Sequence, residues 1–118
     1  MTELCCPQLY EAWRIAFELD DQPGVAKYHP VVIGAIGEGY AEVLVVKVTT
    51  HEPRQGFPGE VPLNGWREAG LEKPSVARCS RTLIVPIEAF EGQRRYGALA
   101  QADADAVAAA LRNLGMTL

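Results

Sequence analysis

Two valine-rich runs, separated by a short glycine-rich segment, constrain the fold of this chain more than any other feature. The first run is Tyr28–Ile33, the second is Val43–His51, and Gly34–Gly39 lies between them. Valine and isoleucine fit pleated, buried surfaces, and glycine adopts the positive φ angles that a chain reversal needs. We therefore predict a buried β-hairpin with a short connection.

Polar residues lie at one end of this predicted hairpin. His29 opens the first strand, and Lys47, Thr49 and His51 close the second. In an antiparallel pair the start of one strand lies beside the end of the next, so these residues share one edge of the sheet. Side chains alternate along a strand, which places Lys47 and Thr49 on one face, with His51 continuing the alternation. This polar cluster beside a hydrophobic core is the best candidate for a functional site.

Three further segments have strand patterns. Trp13–Leu19 alternates apolar and polar residues, and Glu60–Leu63 is an edge-strand candidate because Pro62 cannot sit in a central ladder. Ser75–Val85 begins with an alternation whose polar face the sequence leaves open. That face carries either Ser75, Ala77 and Cys79 or Val76, Arg78 and Ser80.

The C-terminal part of the chain is predicted to be helical from 101 to 114. Alanine dominates this stretch and has the highest helix propensity, and Gly115 ends it. Asn64–Leu71 is predicted to form one helical turn, and residues 1–10 a loose leader containing Pro7. The sum is five or six short strands and one helix, a strongly bent β-sheet or small barrel.

Length and composition fit one soluble domain. The 118 residues form a single expected domain, 1–118, and the net charge of −4 argues against tight binding to duplex DNA. The segment 54–95 nevertheless holds seven basic and five acidic residues, which allows either a modest basic surface or an ordinary solvated one. No apolar run reaches the roughly 18 residues of a membrane helix. The N-terminus lacks signal-peptide features, so a cytoplasmic location is expected.

The cysteines and histidines predict neither a disulfide framework nor a bound cofactor. The three cysteines are an odd number without a C-x-x-C motif, and two histidines are few for a zinc site. A thiol protease built on Cys79 is a minor alternative.

Five short motifs in order resemble the PemK/MazF family of toxins from type II toxin–antitoxin pairs. Family members run from a strand with an acidic loop into an R-P-x-x-V strand, then a strand ending in Thr-Ser or Thr-Thr, then G-L-x-x-x-S and G-x-L-x-x-x-D segments. The corresponding segments here are Trp13–Asp21, His29–Ile33, Val43–Thr50, Gly70–Ser75 and Gly97–Asp103. The resemblance covers nearly the whole chain.

The resemblance implies an SH3-like small β-barrel with a C-terminal α-helix, a homodimer, and a cognate antitoxin as partner. It also implies cleavage of single-stranded RNA without metal or cofactor, by attack of the ribose 2′-hydroxyl. The family's catalytic pair is an Arg before Pro and the Thr of the Thr-Thr element. The Thr corresponds to Thr49, whereas His29 stands at the position of the Arg.

His29 replaces only part of what an arginine supplies. Imidazole exchanges protons near neutral pH, but neutral imidazole carries no charge and cannot form the bidentate fork of a guanidinium. The candidate catalytic residues are His29 and Thr49. The candidate RNA-binding residues, including possible sources of the missing cation, are Lys47, His51, Arg54, Ser75 and Arg78.

The substitution at the arginine position also supports a second hypothesis. In that alternative the chain is a catalytically silent protein of the same fold that binds nucleic acid or a protein partner. The retained Thr49 and the basic 54–95 segment favour the enzyme, and His29 favours the silent protein.

Overall fold

The computed structural model describes residues 6–18, 24, 26–50 and 58–118. Within them, six strands form one antiparallel sheet in the order β4-β5-β3-β2-β1-β6, and one helix follows. The strands are β1 Glu11–Glu18, β2 Ala26–Ile36, β3 Glu42–Thr49, β4 Glu60–Leu63, β5 Ser75–Pro86 and β6 Arg94–Ala98, and the helix is α1 Gln101–Leu114. The sheet curls into a half-barrel, which confirms the expected mainly β, SH3-like fold with a C-terminal helix.

The centre of the sheet is buried on both faces. Alternate residues of β2 and β3, such as Val32 and Val46, pack with α1 in one core cluster. Their neighbours, such as Val31 and Val45, pack in a second cluster around Trp13 and Phe90. We call the side that packs with α1 the helix face and the other side the far face. The predicted buried hairpin therefore lies between two cores, as its continuous apolar runs indicate.

The connection of this hairpin differs from the prediction. β2 continues through Gly34 to Ile36, and its register with β3 is irregular at this glycine. A Cβ atom at Gly34 would lie 3.0 Å from side-chain atoms of Leu44 and Leu111. The glycine thus permits close packing inside a strand, and a short 3-10 segment at Glu38–Tyr40 makes the reversal.

The segment before β5 is a run of turns that contains the predicted helical turn, since the Ala69 N–H donates to the Gly65 carbonyl at 3.1 Å and the Gly70 N–H to the Arg67 carbonyl at 3.0 Å. Gly70 ends it with a φ of +81°, where a Cβ would lie 2.6 Å from the carbonyl oxygen of Tyr96. The carboxylate of Asp103 accepts hydrogen bonds from the backbone N–H groups of Asn64 at 3.2 Å and Gly65 at 2.8 Å. These contacts tie the first turn of α1 to the segment that leads into β5.

Two residues of the expected loose leader are held in place. Pro7 is among the fully buried side chains, since proline excludes regular structure without excluding burial. The Tyr10 N–H donates to the Ile33 carbonyl at 2.8 Å, and the Leu99 N–H donates to the Tyr10 carbonyl at 2.9 Å. Leu9 between them is 48% exposed.

Candidate functional site

Strand alternation puts His29 and Thr49 on the same side of the sheet, the far face. In the β2–β3 pair Val31 lies opposite Lys47, which is the last pair of this ladder. His29 and Thr49 each lie two residues beyond this pair, so their side chains project to the same face as those of Val31 and Lys47. His29, Lys47 and Thr49 are partly exposed at the end of a face whose centre is buried.

Arg78 joins this cluster from the neighbouring strand. It lies opposite Lys47 in the β3–β5 pair and opposite Glu60 in the β4–β5 pair. Its Nε donates to Glu60 Oε2 at 3.0 Å, and the exposed fractions of the two side chains are 19% and 3%. The buried carboxylate therefore holds the guanidinium in place. A row of charged side chains, Glu60, Arg78 and Lys47, crosses three strands beside His29 and Thr49.

The position of Arg78 settles which side of β5 is polar. Ala77 and Cys79 belong to the core cluster of the helix face. Alternation then assigns Val76 and Arg78 to the far face. The sequence left these two assignments open.

Ser75 lies away from the cluster. Its side chain is on the helix face, is buried, and donates a hydrogen bond from Oγ to the Lys73 carbonyl at 2.7 Å. It lines a pocket with Pro30, Thr50 and Tyr96, among others. The sheet therefore separates Ser75 from His29 and Thr49. The remaining RNA-binding candidates, His51 and Arg54, lie outside the described residues.

The surroundings of His29 favour its neutral form. Burial lowers the pKa of its imidazole below the ordinary value of 6.5, and the positive charges of Lys47 and Lys27 lower it further. The ring is therefore mostly neutral at pH 7, with a nitrogen lone pair that can accept a proton. Neutral His29 supplies no positive charge, whereas Lys47 and Arg78 on the same face do.

Cys79 does not have the properties of a nucleophile. Its thiol is fully buried on the helix face, and burial raises its pKa to about 11. Because the thiolate is the reactive form, the thiol is inert at neutral pH. The minor thiol-protease alternative therefore has no support in this geometry.

Glu60 and Lys27 are site residues that the sequence did not reveal. Glu60 appeared only as the first residue of an edge strand, and Lys27 lay before the predicted start of β2. Alternation along the strand places Lys27 on the same face as His29, so a predicted first strand that began before Tyr28 would have placed Lys27 near His29. The position of Glu60 beside Arg78 depends on the pairing of β4 with β5, and no local sequence pattern indicates that pairing.

A curled six-stranded half-barrel with one C-terminal helix, bearing a polar cluster at the end of its central hairpin, defines the structural class of this protein. The model of a protein family described as "PemK-like, MazF-like toxin of type II toxin-antitoxin system" matches residues 10–115. The chain belongs to this family, which confirms the resemblance seen in its motifs.

Solved structures agree with this assignment. The Mycobacterium tuberculosis toxin MazF-mt6 is 28% identical, with a TM-score of 0.59 over 92% of this chain and 100% of that one. An endoribonuclease from Mycobacterial species is 16% identical, with a TM-score of 0.65 over 98% and 99% of the two chains. A MazE–MazF structure from Deinococcus radiodurans is 14% identical, with a TM-score of 0.69 over 96% and 99%. The last two likenesses show the fold alone.

A search of curated proteins found no match. In the part of the chain that the structure describes, no helix is both long enough and apolar enough to span a membrane.

Proposed function

We propose that this protein is the toxin of a toxin–antitoxin pair and cleaves single-stranded RNA at the far-face cluster. What supports the proposal is the position of His29 and Thr49 on the face that also carries the cations Lys47 and Arg78, in a chain of the MazF-like family. The endoribonuclease among the similar structures is consistent with this activity.

The reaction assigned to this cluster needs a proton acceptor and a source of positive charge. The ribose 2′-oxygen attacks the adjacent phosphorus, the bond from phosphorus to the 5′-oxygen breaks, and a cyclic phosphate and a 5′-hydroxyl result. Neutral His29 accepts the 2′-hydroxyl proton, and a proton is returned to the leaving 5′-oxygen. The Thr49 hydroxyl donates to a phosphoryl oxygen, and Lys47 and Arg78 stabilise the negative charge that develops there.

The test is cleavage of a long single-stranded RNA by the purified protein in EDTA. Wild type is expected to cleave, and Thr49→Ala is expected to reduce the rate about 100-fold, the effect of losing one transition-state donor. Thr82→Ala is the matched control, because Thr82 lies elsewhere on β5 and its hydroxyl contacts Met116 Sδ at 3.7 Å. Activity that EDTA abolishes and magnesium restores would contradict a metal-independent reaction.

The second candidate function is binding without cleavage. The observation that favours it is His29 itself, which stands where the family has an arginine and is neutral at pH 7. In this case wild type is inert at every pH, while RNA or a protein partner is still bound. A filter-binding measurement on the same RNA samples separates the two candidates.

The partners of the proposed toxin are a cognate antitoxin and a second copy of this chain. A solved structure that shares the fold contains MazE with MazF from Deinococcus radiodurans. The proposal predicts a neighbouring small reading frame whose product co-purifies with this protein and relieves growth inhibition in the cytoplasm. Light scattering of the purified chain tests the homodimer.

A further inference from the structure

Two tyrosine rings and two guanidinium groups lie side by side across β2, β1 and β6 on the helix face. Arg14 lies directly opposite Arg94 in the β1–β6 pair. The Arg14 Cζ is 4.7 Å from the centre of the Tyr28 ring, and the Arg94 Cζ is 4.9 Å from the centre of the Tyr96 ring. We call Tyr28, Arg14, Arg94 and Tyr96 the tyrosine–arginine stripe.

Folding alone does not account for this stripe. Like charges directly opposite on neighbouring strands are destabilising. Among the side chains that the structure describes, Arg14 and Arg94 join no ion pair, whereas the adjacent Arg95 pairs with Glu11. Tyr28 exposes 56% of its surface. Two adjacent cations beside an exposed aromatic ring are the side chains expected on a surface that binds a ligand with both anionic and planar aromatic groups.

We propose that the tyrosine–arginine stripe binds single-stranded RNA next to the cleavage site, an inference that rests on the proposed function. Bases stack on the faces of Tyr28 and Tyr96, and phosphates bind Arg14 and Arg94. A guanidinium that lies over a ring keeps its N–H edges directed outward, so the cation–π contact orients the phosphate donors.

The stripe is continuous with the end of the strands that carry the far-face cluster. Tyr96 lines the same pocket as Pro30, Thr50 and Lys73. Pro30 directly follows His29 in the chain, and Thr50 directly follows Thr49. An RNA strand bound at the cluster therefore reaches the helix face by passing over the ends of β2 and β3. Glu72 also lines the pocket, and its negative charge repels phosphate groups. The phosphates are therefore expected to bind the arginines of the stripe rather than the wall of the pocket.

Single-stranded RNA fits this surface better than a duplex does. The bases of a duplex are stacked on each other and cannot lie on tyrosine rings, whereas unpaired bases do so with little sequence preference. Each arginine of the stripe lies beside a ring, Arg14 beside Tyr28 and Arg94 beside Tyr96. Each such pair offers a stacking surface and a phosphate donor to one nucleotide.

The experiment measures RNA affinity separately from cleavage. The Thr49→Ala protein is titrated, in EDTA, into a fluorescent single-stranded oligoribonucleotide of roughly a dozen nucleotides at several salt concentrations. A plot of the logarithm of the binding constant against the logarithm of the salt concentration has a negative slope. Adding Arg14→Gln and Arg94→Gln is expected to make this slope shallower by about 1.4, because each phosphate contact contributes about 0.7.

The tyrosine is tested by a second pair of variants. Tyr28→Leu is expected to weaken binding about five-fold or more with an unchanged salt slope, since stacking involves no counterion release. Tyr28→Phe retains the ring and is expected to bind like the parent. Because Tyr28 is exposed, its replacement leaves the fold intact.

Arg67→Gln is the matched control for the arginines. The Arg67 Cζ lies 4.7 Å from the centre of the Trp66 ring, so the same kind of pair is removed from a surface outside the stripe. Unchanged RNA affinity and slope in the stripe variants would overturn the proposal, as would an equal loss in Arg67→Gln. Loss of a protein partner with RNA binding retained would also overturn it. Cleavage by the protein with Thr49 intact is scored separately and decides the proposed function alone.

Discussion

At the scale of single residues, a histidine in place of an arginine changes which residues of the proposed active site supply positive charge and which accept a proton. An arginine provides charge and hydrogen-bond donors in one group. In the proposed site the corresponding residue, His29, is kept mostly neutral by burial and by Lys47 and Lys27, so we assign the positive charge to Lys47 and Arg78. The ion pair with Glu60 fixes the position of Arg78.

A pH–rate series on wild type and His29→Arg tests this division. The lowered pKa of His29 means that its proton-accepting form increases as the pH rises toward 6.5 and is the main form at pH 7. The wild-type rate is therefore expected to rise over an acidic range below pH 6.5 and then level off. Arginine cannot accept a proton at these pH values, so His29→Arg is expected to be slower at pH 7.

The opposite result has an equally clear meaning. If His29→Arg cleaves faster than wild type, most clearly above pH 7, the position supplies charge and hydrogen bonds, and the proton acceptor lies elsewhere. Circular dichroism of both proteins at each pH serves as the folding control.

At the scale of elements, the joint between α1 and the turns before β5 depends on one carboxylate. Asp103 is only 4% exposed and accepts hydrogen bonds from two backbone N–H groups. Asp103→Ala removes the acceptor of both hydrogen bonds, and bonds of this charged kind contribute about 1.5 to 3 kcal/mol each. The free energy of unfolding is expected to fall by about 2 kcal/mol or more, measured by urea denaturation.

Asp105→Ala is the control for this prediction on the same helix. Asp105 is exposed and its carboxylate contacts only Gln101 among the recorded hydrogen bonds of the described residues. Its replacement is expected to change stability by less than about 0.5 kcal/mol. Equal losses in the two variants would indicate the loss of a negative charge near the helix N-terminus rather than the joint.

The elements also show where sequence reasoning succeeds and where it stops. The central hairpin and α1 were predictable because apolar periodicity and alanine content act locally, and parity then predicted that His29 and Thr49 share one face of the sheet. The sequence could not orient Arg78, because the register of β5 on β3 changes between Thr82 and Arg78. It also could not show Glu60 beside Arg78, since that contact depends on the pairing of separate strands.

At the scale of the whole molecule, the two cores make the middle of the sheet its most stable part. β2 and β3 have neighbours on both sides in the strand order and buried residues on both faces. Backbone amides at such positions open only with global unfolding. Native-state hydrogen exchange is expected to be slowest at Val31–Ile33 and Val43–Val46 and faster in β4 and β6. Equal protection across all six strands would contradict this gradient.

The irregular register of β5 has a consequence for how such a chain evolves. Val46 faces Thr82 while the next residue, Lys47, faces Arg78, so three residues, 79–81, are accommodated against a single step of β3. Losing or gaining one codon here would reverse the alternation of the preceding residues, so that Ala77 would face outward and Arg78 would face the apolar core. Selection on this stretch therefore acts more strongly on the number of residues than on which residues they are. Among descendants of this gene, we expect residue 80 or 81 to change freely by substitution and insertions or deletions between them to be purged.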